Sequence, residues 1–335
     1  MHGYVPGEQP QGGDIIKLNT NENPYSPSPR VREAIDAILR SDRLRKYPEP
    51  LGNTFRAVAA RVLGVDPDSI LIGNGSDDVL TVLTRTLVPE GGLIVSPTPS
   101  YLLYRTLAEI QGARFEAVAY TVNWDLPHPW PRPDAHMTLV ANPNSPTGTL
   151  VSLSRLEQLA SEVQGVLVVD EAYVDFADEN ALSLTRLPNV IVTRTLSKSY
   201  SLAGLRFGFA VARPELVHEF NKVKDSYNCD MLSLAGAAAA LEDQGYRLEC
   251  RAKILATRAR LTNELRALGY DLTDSHANFV WARRRGLAVK PVFEELKRRN
   301  ILVRYMDYGP HGDGLRITVG ADVEIDRLLE ELRRI

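Results

Sequence analysis

A chain of 335 residues is long enough for two lobes sharing a substantial core and too short for three. Its formal charge of −3 lacks the basic footprint of a nucleic-acid binder or a polybasic membrane-surface protein. Cys229 and Cys250 are its only cysteines, which fits a reducing compartment rather than a disulfide framework. The Pro- and Gly-rich start MHGYVPGEQPQGG has no apolar h-region of a signal peptide, and no apolar run nears the ~20 residues of a membrane span. The expectation is a soluble, cytoplasmic protein that works on small molecules, with neither nucleic acid nor membrane as partner.

Residues 1–48 open with IIKLNTNENP and then a helix starting at Ser28-Pro29, a capping residue followed by proline at the first helical position. They fit neither of the patterns that follow and are expected to pack on the second lobe. From about residue 69 short apolar strands alternate with amphipathic helices. SILIGNG leads into SDDVLTVLTRTLV, GLIVSP into SYLLYRTLAEI, and MTLVANP into SLSRLEQLASEV; GVLVVD, NVIVTRT and FGFAVA follow as buried strands. Such alternation predicts a large α/β domain over 49–225, a mostly parallel sheet with helices on both faces. After Pro214 the texture changes. One long helical stretch over 232–269 gives way to the strands FVWARR, ILVRYM and LRITVG, predicting a smaller α+β domain over 226–335.

Ligands of open parallel sheets bind at the carboxyl ends of the strands, and there the chain places its polar clusters. These are Gly75-Ser76-Asp77, then Pro143-Asn144-Ser145-Pro146-Thr147-Gly148, then Asp170-Glu171-Ala172-Tyr173, and finally Thr195-Leu196-Ser197-Lys198. Each alone has an ordinary explanation: a helix cap, a turn, a solvated lysine. Their joint order is far more specific.

A lysine forms an imine with an aldehyde, and pyridoxal phosphate is the cofactor that uses one. The remaining residues match its needs. Its phosphate calls for a helix N-terminus, a hydroxyl and an arginine, available as Gly75, Ser76, Asp77, Ser197 and Arg206. Its ring nitrogen calls for a buried carboxylate, Asp170; its 3′-oxygen for a donor such as Tyr173; its ring face for an aromatic partner, Tyr101. On this reading Arg206 stands inside an apolar run because the cofactor phosphate neutralises it. The six histidines are scattered without ligand spacing, so no metal site is expected.

The ordered set LNTNENP, KYPEP, GNGSDD, NPNSPTG, DEAY, TLSKSYSLAGLRFGF and LRITVG resembles the fold-type I pyridoxal-phosphate aminotransferases over nearly the whole chain, from Tyr4 to the final helix. The resemblance implies that fold, with a seven-stranded sheet in the large domain and a homodimeric active unit. It makes Lys198 the covalent anchor and proton shuttle, and Asp170 the partner of the ring nitrogen. Tyr173 falls on the 3′-oxygen, Tyr101 on the ring, Ser197 and Arg206 on the phosphate. Tyr47 matches a tyrosine that reaches the neighbouring subunit's cofactor. Arg316 matches the arginine that forks onto the α-carboxylate, and Tyr4, Asn19 and Arg304 fall among the substrate positions. The family commonly has asparagine where Ser145 stands, leaving Ser145, Asn144 or Tyr173 alone for the 3′-oxygen. The implied reaction is transamination between L-histidinol phosphate and 2-oxoglutarate. An aromatic amino-acid transaminase and a lyase acting on threonine phosphate are the rival enzymes; a regulatory module on this fold is expected to carry a DNA-binding segment, for which no stretch is spare.

Overall fold

The computed structural model describes residues 7–10, 12, 14–309 and 312–335. A short strand β1 (Ile16–Leu18) precedes α1 (Pro29–Arg40), which starts where the sequence places its cap: Ser28 Oγ accepts the Arg30 N–H. After α2 (Asn53–Leu63) the alternation begins, with β2 (Ile70–Gly73), α3 (Ser76–Leu87), β3 (Leu93–Thr98), α4 (Leu103–Gln111), β4 (Arg114–Ala119), β5 (Met137–Ala141), α5 (Leu153–Glu162), β6 (Val166–Asp170), β7 (Val190–Thr195) and β8 (Gly208–Val211). These strands form one seven-stranded sheet in the order β2-β8-β7-β6-β5-β3-β4. All neighbours from β7 to β4 are parallel, and β8 alone runs against both of its neighbours. β5 and β7 are buried along their full length, as continuous apolar runs between two helix layers should be. One face packs Val79, Leu83, Tyr104 and Phe220 against Leu139 and Val168; the other packs Leu156 and Leu159 against Val140 and Val169.

The chain continues through α6 (Pro214–Val223), α7 (Met231–Glu242), α8 (Gln244–Ala267), β9 (Asp271–Leu272), β10 (Phe279–Arg283), α9 (Lys290–Arg298), β11 (Ile301–Asp307), β12 (Asp313–Thr318) and α10 (Asp322–Leu332). A second sheet has the order β1-β11-β12-β10-β9, antiparallel except for the β1–β11 pair. Its core joins Leu261 and Leu265 of α8 to Val280, Ile317 and Leu328.

Two local expectations need correction, and one strand has no counterpart among them. No apolar run marks strand β4 in the sequence: its ARFEAVA pattern mixes charge and alanine, as suits a strand at one edge of the sheet that is only partly buried. The helical stretch over 232–269 is two helices. Asp243 breaks it by accepting both the Ser28 hydroxyl and the Tyr246 N–H, which caps α8. Finally, the first fifty residues do not all pack on the second lobe. β1 pairs with β11, but α1 lies against α7, and both cover Ile70, Ile72 and Phe209 of the large sheet. Among the described residues, no helix is long and apolar enough to cross a membrane.

Candidate active site

A cavity of about 300 Å³ opens at the carboxyl ends of the parallel strands. Ser76 and Asp77 enter it from the start of α3, Ser145 from the turn after β5, Asp170 and Tyr173 from the end of β6, and Ser197 and Lys198 from beyond β7. β11 and β12 close it with Arg304 and Arg316, and Asn19, Tyr101 and Arg206 complete the set. Gly75, Asn144 and Tyr47 do not line it, and Tyr4 lies outside the described residues. Gly7, Gln9, Thr20 and Glu22 also line it and were not singled out from sequence.

Lys198 Nζ donates to the Thr20 carbonyl at 3.1 Å. Its amine is drawn down to about 8, first by burial and then by Arg316 and Arg206, with Glu22 and Asp77 pulling the other way. Lysine thus becomes a usable base and nucleophile near neutral pH. The Asp170 carboxyl moves in the opposite sense, pushed up to about 6 by burial although Tyr104 and the Ala172 N–H both donate to it. Tyr104 is a partner that sequence reasoning missed. The available signal was YLLY, which spaces it one helical turn from Tyr101.

The start of α3 shares the cavity with Arg206 and Ser197. Gly75 is its N-cap at φ 87°, and no side chain caps the turn, leaving the helix end to a ligand. A Cβ on Gly75 would also lie 2.6 Å from Arg206 Nη2. Arg206 itself does not sit in the core as its apolar neighbours suggest. It adopts the left-handed conformation (φ 51°), which turns its side chain out between buried Phe207 and the short turn at 203–205. It is half-exposed, 3.7 Å from Asp77 Oδ2, so part of its charge already has a protein partner.

Opposite this cradle, Arg316 Nη1 donates to Ser145 Oγ and Nη2 to the Asn19 carbonyl, both at 3.0 Å, with the guanidinium over the Phe279 ring. Arg304 and Arg316 are directly paired across β11 and β12. Tyr173 stands edge-on to Phe279, and its hydroxyl accepts from Asn21 Nδ2 at 2.9 Å. Asn144 is consumed by the turn: its side chain accepts from Ser100 and donates to the Pro99 carbonyl and Thr147 Oγ1. Of the two residues proposed from sequence for one role, Ser145 reaches the cavity and Asn144 does not. Tyr47 lies on the surface, stacked on Tyr227 with ring centroids 4.4 Å apart. Among the described residues no cluster of His, Cys, Asp and Glu could hold a metal ion.

A two-lobed α/β chain with a lysine, a buried aspartate and paired arginines in one crevice defines a class, and the comparisons agree. The chain belongs to the family Aminotransferase class I and II, whose profile matches residues 13–332. It is 50% identical over 338 aligned positions to histidinol-phosphate aminotransferase of Rhodopirellula baltica, covering 100% of this chain and 93% of that one. With histidinol-phosphate aminotransferase 1 of Trichormus variabilis it shares 47% identity over 99% of this chain and 96% of the other. Among solved structures, the histidinol-phosphate aminotransferase of Sinorhizobium meliloti in complex with pyridoxal-5′-phosphate superposes with a TM-score of 0.87 at 27% identity, over 96% of this chain and 90% of that one. The architecture is that of the fold-type I aminotransferases.

Proposed function

We propose that this chain is a pyridoxal-phosphate-dependent transaminase that exchanges an amino group between L-histidinol phosphate and 2-oxoglutarate in histidine biosynthesis. The observation that carries the reading is Arg304 directly opposite Arg316, both lining the cavity that holds Lys198. Like charges facing each other across a strand pair are unfavourable, so the pair is suited to anions bound between the lobes. Both substrates are anionic, one through carboxylates and the other through phosphate.

The residues present fit the cofactor. The uncapped start of α3, Ser197 and Arg206 would hold its phosphate, Asp170 its ring nitrogen, Tyr101 its ring face, and Tyr173 with Ser145 its 3′-oxygen. When bound, pyridoxal phosphate supplies the electron sink that makes the substrate Cα proton removable and carries the amino group between the two half-reactions. Lys198 Nζ, neutral at mildly alkaline pH, takes up that proton and returns it. Arg316, its guanidinium already fixed by Ser145 and Asn19, grips the carboxylate of glutamate. Arg304 takes the phosphate of the other donor.

The test is a panel of amino donors with 2-oxoglutarate, run on wild type and Arg304→Met. Losing a charge-assisted bond to phosphate costs about 1.5–3 kcal/mol, or roughly tenfold to a hundredfold in kcat/KM. Histidinol phosphate should suffer that loss while an uncharged aromatic donor is spared. A wild type that prefers phenylalanine or tyrosine, or that releases CO2 from threonine phosphate instead of transferring an amino group, sinks the proposed substrate.

A further inference from the structure

Tyr104 lies in the first turn of α4, fully buried in the layer between that helix and the large sheet. A phenylalanine would fill the same space, so packing explains the ring but not the hydroxyl. The hydroxyl donates to Asp170 Oδ2 at 2.8 Å, across a sequence separation of 66 residues. Asp170 Oδ1 takes the Ala172 N–H at 3.1 Å. With these donors on separate oxygens, the carboxylate keeps acceptor capacity for a group in the cavity. The Tyr104 ring also meets Tyr101 edge-on, with centroids 5.6 Å apart, so one side chain braces two walls of the site.

We propose that Tyr104 is a positioning residue for the transamination: its hydroxyl fixes the plane of the Asp170 carboxylate and keeps that carboxylate anionic for the ring nitrogen of the cofactor. The clause about the cofactor rests on the function proposed above; the hydrogen bond does not. Burial and Asp170 hold the Tyr104 phenol well above its usual range, so it remains a donor at every working pH. Around Asp170, burial and the Asp77 carboxylate from α3 favour the neutral acid, while Tyr104 from α4, the Ala172 N–H and the Thr193 hydroxyl of β7 favour the anion, Tyr104 first among them. The cations that share the cavity are Lys198, Arg206, Arg304 and Arg316. Lys198 titrates near 8, above Asp170, and stays charged while the carboxyl ionises.

The test uses Tyr104→Phe and a protein with 3-fluorotyrosine at position 104, a stronger donor of nearly the same shape. In the apoproteins, carboxyl-carbon NMR follows the Asp170 titration, with its resonance identified by Asp170→Asn. Tyr104→Phe should move the midpoint up by about one to two pH units, the range expected for losing a hydrogen bond to a charged group. Fluorotyrosine should move it down. In the loaded enzyme Tyr104→Phe should lower kcat roughly tenfold with little change in KM for the donor. Unshifted midpoints, or a Phe variant with wild-type kcat, overturn the proposal; should that variant fail to fold, the direction of the fluorotyrosine shift decides. If borohydride treatment of loaded wild type leaves no pyridoxyl label on Lys198, the cofactor assignment fails instead, and the Asp170 titrations stand apart from that failure.

Discussion

Burial holds the two ionisable side chains at the centre of the site away from their solution values in opposite directions, Lys198 toward the neutral amine and Asp170 toward the neutral acid. Perturbation of this kind is expected where groups are kept for chemistry rather than for stability, and it has a measurable cost. Asp170 is 4% exposed, and its folded value of about 6 lies above the ordinary 3.8. Its contribution to stability is therefore complete below pH 4 and is lost as pH rises through 6, a difference of about 2–3 kcal/mol at 1.36 kcal/mol per unit. Asp170→Asn should make the apoprotein more stable than wild type by about that amount at pH 7.5, with the gap closing by pH 4, while abolishing most transamination. Urea unfolding of both apoproteins at the two pH values measures this. A gap of the same size at both would mean that ionisation of Asp170 is not what burial opposes.

Among the secondary elements, the junction of β8 with α3 sets the phosphate-facing end of the site. Gly208 pairs with Gly73 on β2 and with Thr195 on β7, so the strand cannot retreat. A Cβ there would stand 2.4 Å from Ser76 N and 2.7 Å from the Gly75 carbonyl carbon, both backbone atoms. Gly208→Ala must displace the first turn of α3. Overpacking of this kind costs about 1–3 kcal/mol, and cofactor retention through dialysis should fall with it. Gly204→Ala, with nothing within 4 Å of its added carbon, is the control that should change neither melting nor retention. The strand-helix alternation and the residues at the strand ends were legible because a parallel sheet writes both into the sequence as apolar runs that stop at polar clusters. Apolar period does not say which sheet a helix covers, so α1 and α7 could not be placed on the large sheet, and the break at Asp243 depends on Ser28, far away in sequence. At the site, the turn of Arg206 out of its apolar run, the use of Asn144 inside its loop, and the Tyr104–Asp170 bond depend on backbone angles and distant partners. Residue type alone does not carry those.

At the scale of the whole molecule, one sequence-matched residue has no place in its own chain's cavity. Tyr47 is 78% exposed, stacked on half-exposed Tyr227 and flanked in sequence by exposed Leu44 and Leu51, an apolar surface that a lone subunit gains nothing by presenting. Its match to a tyrosine that reaches a neighbouring cofactor gives that surface a function if two copies associate about a two-fold axis. The consequence can be read from hybrids. In a dimer of one Tyr47→Phe chain and one Lys198→Ala chain, the site that keeps Lys198 receives its Tyr47 from the Lys198→Ala chain and is complete, while the other site lacks both groups. Mixing the two variants, with exchange verified by mass spectrometry, should restore activity that Lys198→Ala alone lacks. Per intact lysine, that activity should exceed the activity of the Tyr47→Phe homodimer. If Tyr47 instead served its own chain, the site with Lys198 would still lack the hydroxyl in every hybrid. Activity per lysine would then stay at the Tyr47→Phe level however complete the exchange, and the shared site would have to be given up.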